Sequence, residues 1–134
     1  MDGIPQLATC SYGEYRRDMG TAVRITLGVP RWISLPDPRY SRYAKWPYIA
    51  ELAPRRDYFK APEAVFDAKY LGQLERLAAD IERKLTWIEP EHGRLVLLCF
   101  ERNVQGPHDC HRRLFADWWT ARTGEDVPEL GGRR

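Results

Sequence analysis

The chain carries three cysteines and three histidines, and two of each fall in one stretch, LVLLCFERNVQGPHDCHRRLF, residues 95–115. Cys99 and Glu101 close an apolar run; Cys110, His111, Arg112 and Arg113 arrive together after a short loop. A helix starting at the second group would present free backbone N–H groups and a partial positive charge, which attract anions. Cations are disfavoured at that end of a helix, so Arg112 and Arg113 point to an anionic partner such as a phosphate or carboxylate, or else form a solvated first turn. A thiol placed there has its pKa lowered, more so beside a protonated imidazole, and Cys110 is therefore the best nucleophile candidate. His111 is a candidate proton carrier, and Glu101 its orienting partner or a general base; the alternatives are a His111 that caps the helix or bonds the neighbouring strand and a Glu101 that pairs with one of the arginines. Cys99 is either a second thiol of the site or a small apolar filler of the core.

Several other chemistries lack their spacing. Cys99, His108, Cys110 and His111 offer four zinc-ligand types, but no Cys-x-x-Cys exists and neighbouring residues rarely face one ion, so no metal is expected. The residue six places after Cys110 is Ala116, and after Cys99 it is Gln105, so the arginine of a phosphatase or sulfurtransferase loop is missing. There is no glycine-rich nucleotide fingerprint and no Walker lysine, and no cofactor is predicted.

The elements that must position these residues follow from the pattern around them. RLVLLCF is a continuous apolar run, as in a strand covered on both faces of a parallel sheet. Alternation puts Cys99 and Glu101 on the same side of its carboxyl end. A helix is predicted over about 110–122, with Asp109 as N-cap, Leu114, Phe115, Trp118 and Trp119 facing inward, and Gly124 as its end. DVPEL (126–130) reads as a last strand at an edge, because Pro128 cannot donate to a ladder. Upstream, QLATCS (6–11) and a stretch near 22–28 read as strands, and YIAEL (48–52) as a further short one. Phe66, Tyr70, Leu74, Leu77, Ile81, Leu85 and Ile88 recur at helical spacing, which predicts one long amphipathic helix over 63–88 after Pro62. Strand, helix, strand at the end of the chain makes a βαβ unit. The expected fold is α/β, a single Rossmann-like three-layer domain spanning 1–134 with a mostly parallel sheet of about five strands, whose ligand site lies outside the strands' carboxyl ends.

The bulk properties agree with one domain. The chain has 134 residues, 43% hydrophobic and 30% charged, and a formal charge of +2, too small by itself to imply nucleic-acid or membrane binding. Three cysteines without a repeated spacing argue against a disulfide framework. No segment approaches a membrane span and the N-terminus lacks the form of a signal peptide, so a cytoplasmic location is expected.

LVLLCFE followed by an eight-residue loop and CHRR resembles the paired signature of DUF488, a domain family of unknown function. WPYIAELAPRRDYFKAPEAVFDAKYLGQLERLA is similar to that family's strand, turn and long helix, while LATCSYGEY and AVRITLGVPRW stand where its first and second strands are. The resemblance implies a compact Rossmann-like domain with a site at Cys99, Glu101, Cys110, His111 and Arg112. Cys10 and Ser11 replace the family's Gly-His, and Arg24 or Arg31 is the nearest counterpart of its Asp-Val-Arg arginine; Ser11, Arg24 and Arg31 are added to Arg112 and Arg113 as candidate anion contacts.

A second signal lies in residues 31–60, which hold seven Lys or Arg against three acids. Trp32, Arg39, Tyr40, Arg42, Tyr43, Lys45 and Trp46 interleave rings with cations, as in proteins that hold unpaired bases and their phosphates. Core filling by some of these rings is the alternative. Two functions follow as expectations. The first is binding of a nucleotide or nucleic-acid phosphate at the carboxyl edge of the sheet, with catalysis through Cys110 and His111. The other is a non-catalytic module contacting nucleic acid or a protein through the basic aromatic segment. The sequence does not decide the oligomeric state.

Overall fold

The computed structural model describes residues 4–28, 46–90, 93–101 and 110–131. Three parallel strands, β1 (Gln6–Ser11), β2 (Thr21–Arg24) and β3 (Arg94–Cys99), form a sheet in the order β1-β3-β2. The central place goes to the most apolar strand: Leu95 through Cys99 are buried without interruption, which only a strand with neighbours on both edges and layers on both faces achieves. In register, Ser11 lies beside Cys99 and Arg24 beside Leu98, so the three carboxyl ends finish together. Tyr12 N donates to Cys99 O and Ile25 N to Leu98 O, which keeps both flanking chains joined to β3 up to the edge of the sheet.

Among the described residues three α-helices accompany the sheet: α1 (Glu63–Arg76), α2 (Ala78–Trp87) and α3 (His111–Thr123). The helix predicted over 63–88 is broken at Leu77 (φ −104°, ψ 12°), a position that no Pro or Gly marks. Tyr70, Leu74, Ile81, Leu85, Phe115 and Trp119 pack with Leu7, Val23, Leu95 and Leu97 in one core cluster. The opposite face of the sheet, Cys10, Ala22, Val96 and Leu98, is covered by Tyr12 with Tyr15, Met19, Trp46 and Leu130. Among the described residues all three helices therefore pack on one face, and the second helical layer of the expected fold is replaced by the β1–β2 connection. That connection runs close to the sheet: at Gly20 (φ 141°) a Cβ would sit 2.7 Å from Arg94 O, so a side chain has no room.

Among the described residues the sheet has three strands, not the expected five or so. Residues 48–52 and 126–130 each contribute a single parallel bridge, Tyr48 to Arg24 and Glu129 to Thr9, one on either edge of the sheet. Chain chemistry explains both. After Tyr48 the backbone turns into a 3₁₀ helix at Ala50–Leu52, and side chains of α1 take its carbonyls: Tyr70 Oη donates to Leu52 O, and Gln73 Nε2 to Glu51 O and Ala53 O. At the other edge Pro128 has no N–H, leaving one bond in each direction, Thr9 N to Pro128 O and Leu130 N to Thr9 O. This segment lies beside β1, not β3, so the last crossover passes over a strand. No helix among the described residues is long and apolar enough to cross a membrane.

Candidate functional site

The central strand brings Cys99 to the carboxyl edge and α3 begins beside it. Cys110, rather than the expected Asp109, is the N-cap, with extended φ −162° and ψ 144°, and Arg113 N donates to its carbonyl at 2.9 Å. Asp109 and His108 lie outside the described residues. Cys99 and Cys110 are joined as a disulfide with Cα atoms 7.6 Å apart, while Cys10 is free. The absence of a disulfide framework read from the sequence thus has one exception, at the residues singled out for chemistry.

Glu101 is exposed, and its Oε2 lies 3.1 Å from Cys110 Sγ and 3.5 Å from Cys99 Sγ. His111 is buried, its ring edge-on to Tyr70 at 5.4 Å. Its Nε2 sits 2.8 Å from Ile25 O. A carbonyl only accepts, so Nε2 carries the proton and Nδ1 keeps a lone pair, 3.8 Å from Cys110 Sγ. Burial drives the His111 pKa down to about 4, with the neighbouring Arg112 charge acting the same way and the Ile25 bond opposing. With its pKa at about 4 the imidazole is neutral at pH 7, so it does not add the positive charge that would lower the Cys110 pKa further, and Nδ1 can accept.

The arginines are placed differently from the sequence reading. Arg112 is fully buried: Nε and Nη2 donate to Glu129 Oε1 and Oε2 at 2.9 and 3.0 Å, and Nη1 donates to Cys99 Sγ and to Glu101 O, each at 2.8 Å. This fork grips a carboxylate of its own chain and has no face left for a ligand anion. Arg113 reaches the far edge, where Nη1 donates to Thr9 Oγ1 and Val127 O, both at 2.8 Å. Ser11 Oγ donates to Glu14 Oε1 at 2.7 Å. Arg24 lies over the Tyr48 ring at 5.1 Å, and its Nε is buried without a hydrogen bond among the described residues.

Cys99, Glu101, Cys110, His111 and Arg112 are therefore together; Ser11 lies beside Cys99 with its hydroxyl spent on Glu14, and Arg24 and Arg113 belong to other surroundings. Cys10 faces the opposite side of the sheet. Burial first, then the charges of Glu129 and Glu14, pushes its thiol up to about 11. The sulfurs of Cys99 and Cys110 and a ring nitrogen of His111 all lie within 4.8 Å of one another, a set of donors that could hold a metal ion. Glu129 was missed in the sequence, whereas a bond from His111 to the neighbouring strand was among its readings, without Ile25 O being singled out. Glu129 could have been sought as the partner a buried Arg112 requires, although nothing in the spacing singles it out among nineteen acids.

Of the basic aromatic segment, Arg31, Trp32, Arg39, Tyr40, Arg42, Tyr43 and Lys45 lie outside the described residues. Trp46 packs edge-on to Tyr15 at 5.2 Å. Tyr58 is core, its hydroxyl on Gln73 Oε1, while Tyr48, Arg55 and Arg56 line an open cleft of about 500 Å³ with Leu27 and Leu77. Comparison with protein-family models, curated proteins and solved structures finds no match to this chain.

Proposed function

We propose that this chain is a DUF488-like, Rossmann-like domain that binds a phosphate-bearing ligand, a nucleotide or a nucleic-acid end, at the carboxyl edge of its sheet. It acts on that ligand through the Cys110–His111 centre. One observation carries the reading: two cysteines, a neutral histidine with a free lone pair and an exposed carboxylate meet at that edge. Packing alone asks for none of this, since buried polar groups cost free energy unless something uses them. The centre acts in its reduced state, with the Cys99–Cys110 bond opened to two thiols as a reducing compartment would keep it. With Arg112 and Arg113 engaged internally, the first-turn N–H groups of α3 other than Arg113 N are, among the described residues, the groups at this edge that would meet a phosphate.

The test is a binding and turnover screen of the reduced protein against nucleotides and short single-stranded RNA and DNA at low salt. Cys110→Ser and His111→Gln are expected to abolish turnover and to weaken binding by at least tenfold. Unchanged affinity and rate in both variants would remove the reading. The second reading, a binding module without catalysis, draws on the cleft lined by Tyr48, Arg55 and Arg56. It is favoured if single-stranded nucleic acid binds with a steep salt dependence that Arg55→Ala and Arg56→Ala reduce and Cys110→Ser does not.

A further inference from the structure

Among the described residues, the cations at this edge are already engaged. Arg112 is paired with Glu129, His111 turns Nε2–H to Ile25 O and leaves Nδ1 toward the sulfurs, and Glu101 adds a negative charge 3.1 Å from a sulfur. What remains is a set of donors without a cation. We propose that Cys99, Cys110 and His111, in the dithiol state, bind a thiophilic divalent metal ion of the zinc class, with Glu101 beside its fourth position. The inference rests on the proposed function only in placing the chemistry at this edge.

The geometry supports it in four ways. Around a tetrahedral ion with zinc-like bond lengths, ligand atoms sit about 3.3–3.8 Å apart. His111 Nδ1 and Cys110 Sγ are separated by 3.8 Å, and Glu101 Oε2 stands 3.5 Å from Cys99 Sγ. The ring nitrogen that faces away from the sulfurs donates to a backbone carbonyl, the support that fixes the tautomer and aim of a ligating histidine. An N–H from Arg112 to Cys99 Sγ stabilises sulfur as thiolate, the form a metal binds. Finally, the Cα separation of 7.6 Å exceeds the roughly 4.4–6.8 Å spanned by most disulfides, so once the bond is opened the two side chains can part far enough to share an ion. Cys99 ends the central strand and Cys110 and His111 start a helix, so the donors sit on the rigid part of the fold.

Metal binding and the disulfide exclude each other. Two equivalents of a low-molecular-weight thiol reduce the bond to two Cys thiols and become a disulfide themselves; the two thiol protons then leave as the ion enters. Three protein donors and an exchangeable fourth position match a catalytic arrangement more than a structural one, and a phosphate oxygen or water would occupy that position.

The test is a titration of the full chain, reduced and then freed of thiol under exclusion of air, with Co(II) followed by Zn(II). One Co(II) per chain is expected, with thiolate-to-cobalt charge transfer and the visible bands of tetrahedral cobalt, all displaced by Zn(II). Cys10→Ser should titrate like the parent, whereas Cys99→Ser, Cys110→Ser and His111→Gln should each weaken cobalt binding by at least a hundredfold with unchanged circular dichroism. Serine keeps a good N-cap at 110 and glutamine can still donate to Ile25 O, so these variants should fold. The inference is overturned by a folded, reduced protein with three free thiols and no cobalt bands, by a bond that thiol reductants do not open, or by bands that survive in the His111 and Cys99 variants. Failure of the phosphate-ligand reading is distinct: the cobalt spectrum would be intact and no nucleotide would bind.

Discussion

Cys10 and Cys110 are both buried, and both stand near the carboxyl edge of the same sheet, yet they occupy opposite chemical settings. Cys10 faces Tyr12, Ala22, Val96 and Leu98, with two carboxylates in the background, and its thiol is pushed up to about 11. It is a filler. Cys110 has a second sulfur, an imidazole lone pair, a carboxylate oxygen and a guanidinium N–H within 4 Å. Burial is thus common to both sulfurs and decides nothing about function. What separates them is whether the neighbours are carbon or polar atoms whose directions are already fixed.

The largest expected effect comes from the ion pair that underlies the Cys110 side. Glu129→Ala leaves the Arg112 charge buried and uncompensated, which should cost about 3–5 kcal/mol in a urea titration. A loss below about 1 kcal/mol would mean that Arg112 is not held as described.

A somewhat smaller effect is set by His111. Its folded pKa, about 4, lies below the roughly 6.5 of an unfolded chain, so the unfolded state binds more protons between those values. Stability is full above about pH 6.5 and is lost as pH falls toward 4, by on the order of 3 kcal/mol. His111→Gln should flatten that acid limb. A limb unchanged by the substitution would show the ring to be protonated in the fold.

Cys10→Ala removes only packing on the other face. It should cost about 1–2 kcal/mol and leave thiol and metal chemistry at the edge unchanged. Altered cobalt spectra in this variant would erase the contrast between the two cysteines. At the small end, Arg83→Ala breaks an exposed ion pair with Asp80 on α2 and should shift stability by less than about 0.5 kcal/mol.

Much of this was legible in the residues. The apolar run of β3, the helix ending at Gly124 and the grouping of Cys99, Glu101, Cys110 and His111 follow from pattern, because strand alternation and helix capping are local rules; residues 6–11 are too short for their period to decide a strand. What could not be read was tertiary. The state of His111 depends on a carbonyl 86 positions away, and the role of Arg112 on a carboxylate at 129. Residues 48–52 have the composition of a strand, but Tyr70 and Gln73 take their backbone carbonyls and the strand does not form. The break at Leu77 carries no signal in the chain.

The contrast between the two cysteines is tested most directly by alkylating the reduced, folded protein over a pH series and locating the label by peptide mass. Cys110 should be modified at least a hundredfold faster than Cys10, which should react only on unfolding or near pH 11. Equal rates at neutral pH would contradict the account, because the carboxyl edge would then hold an ordinary buried thiol.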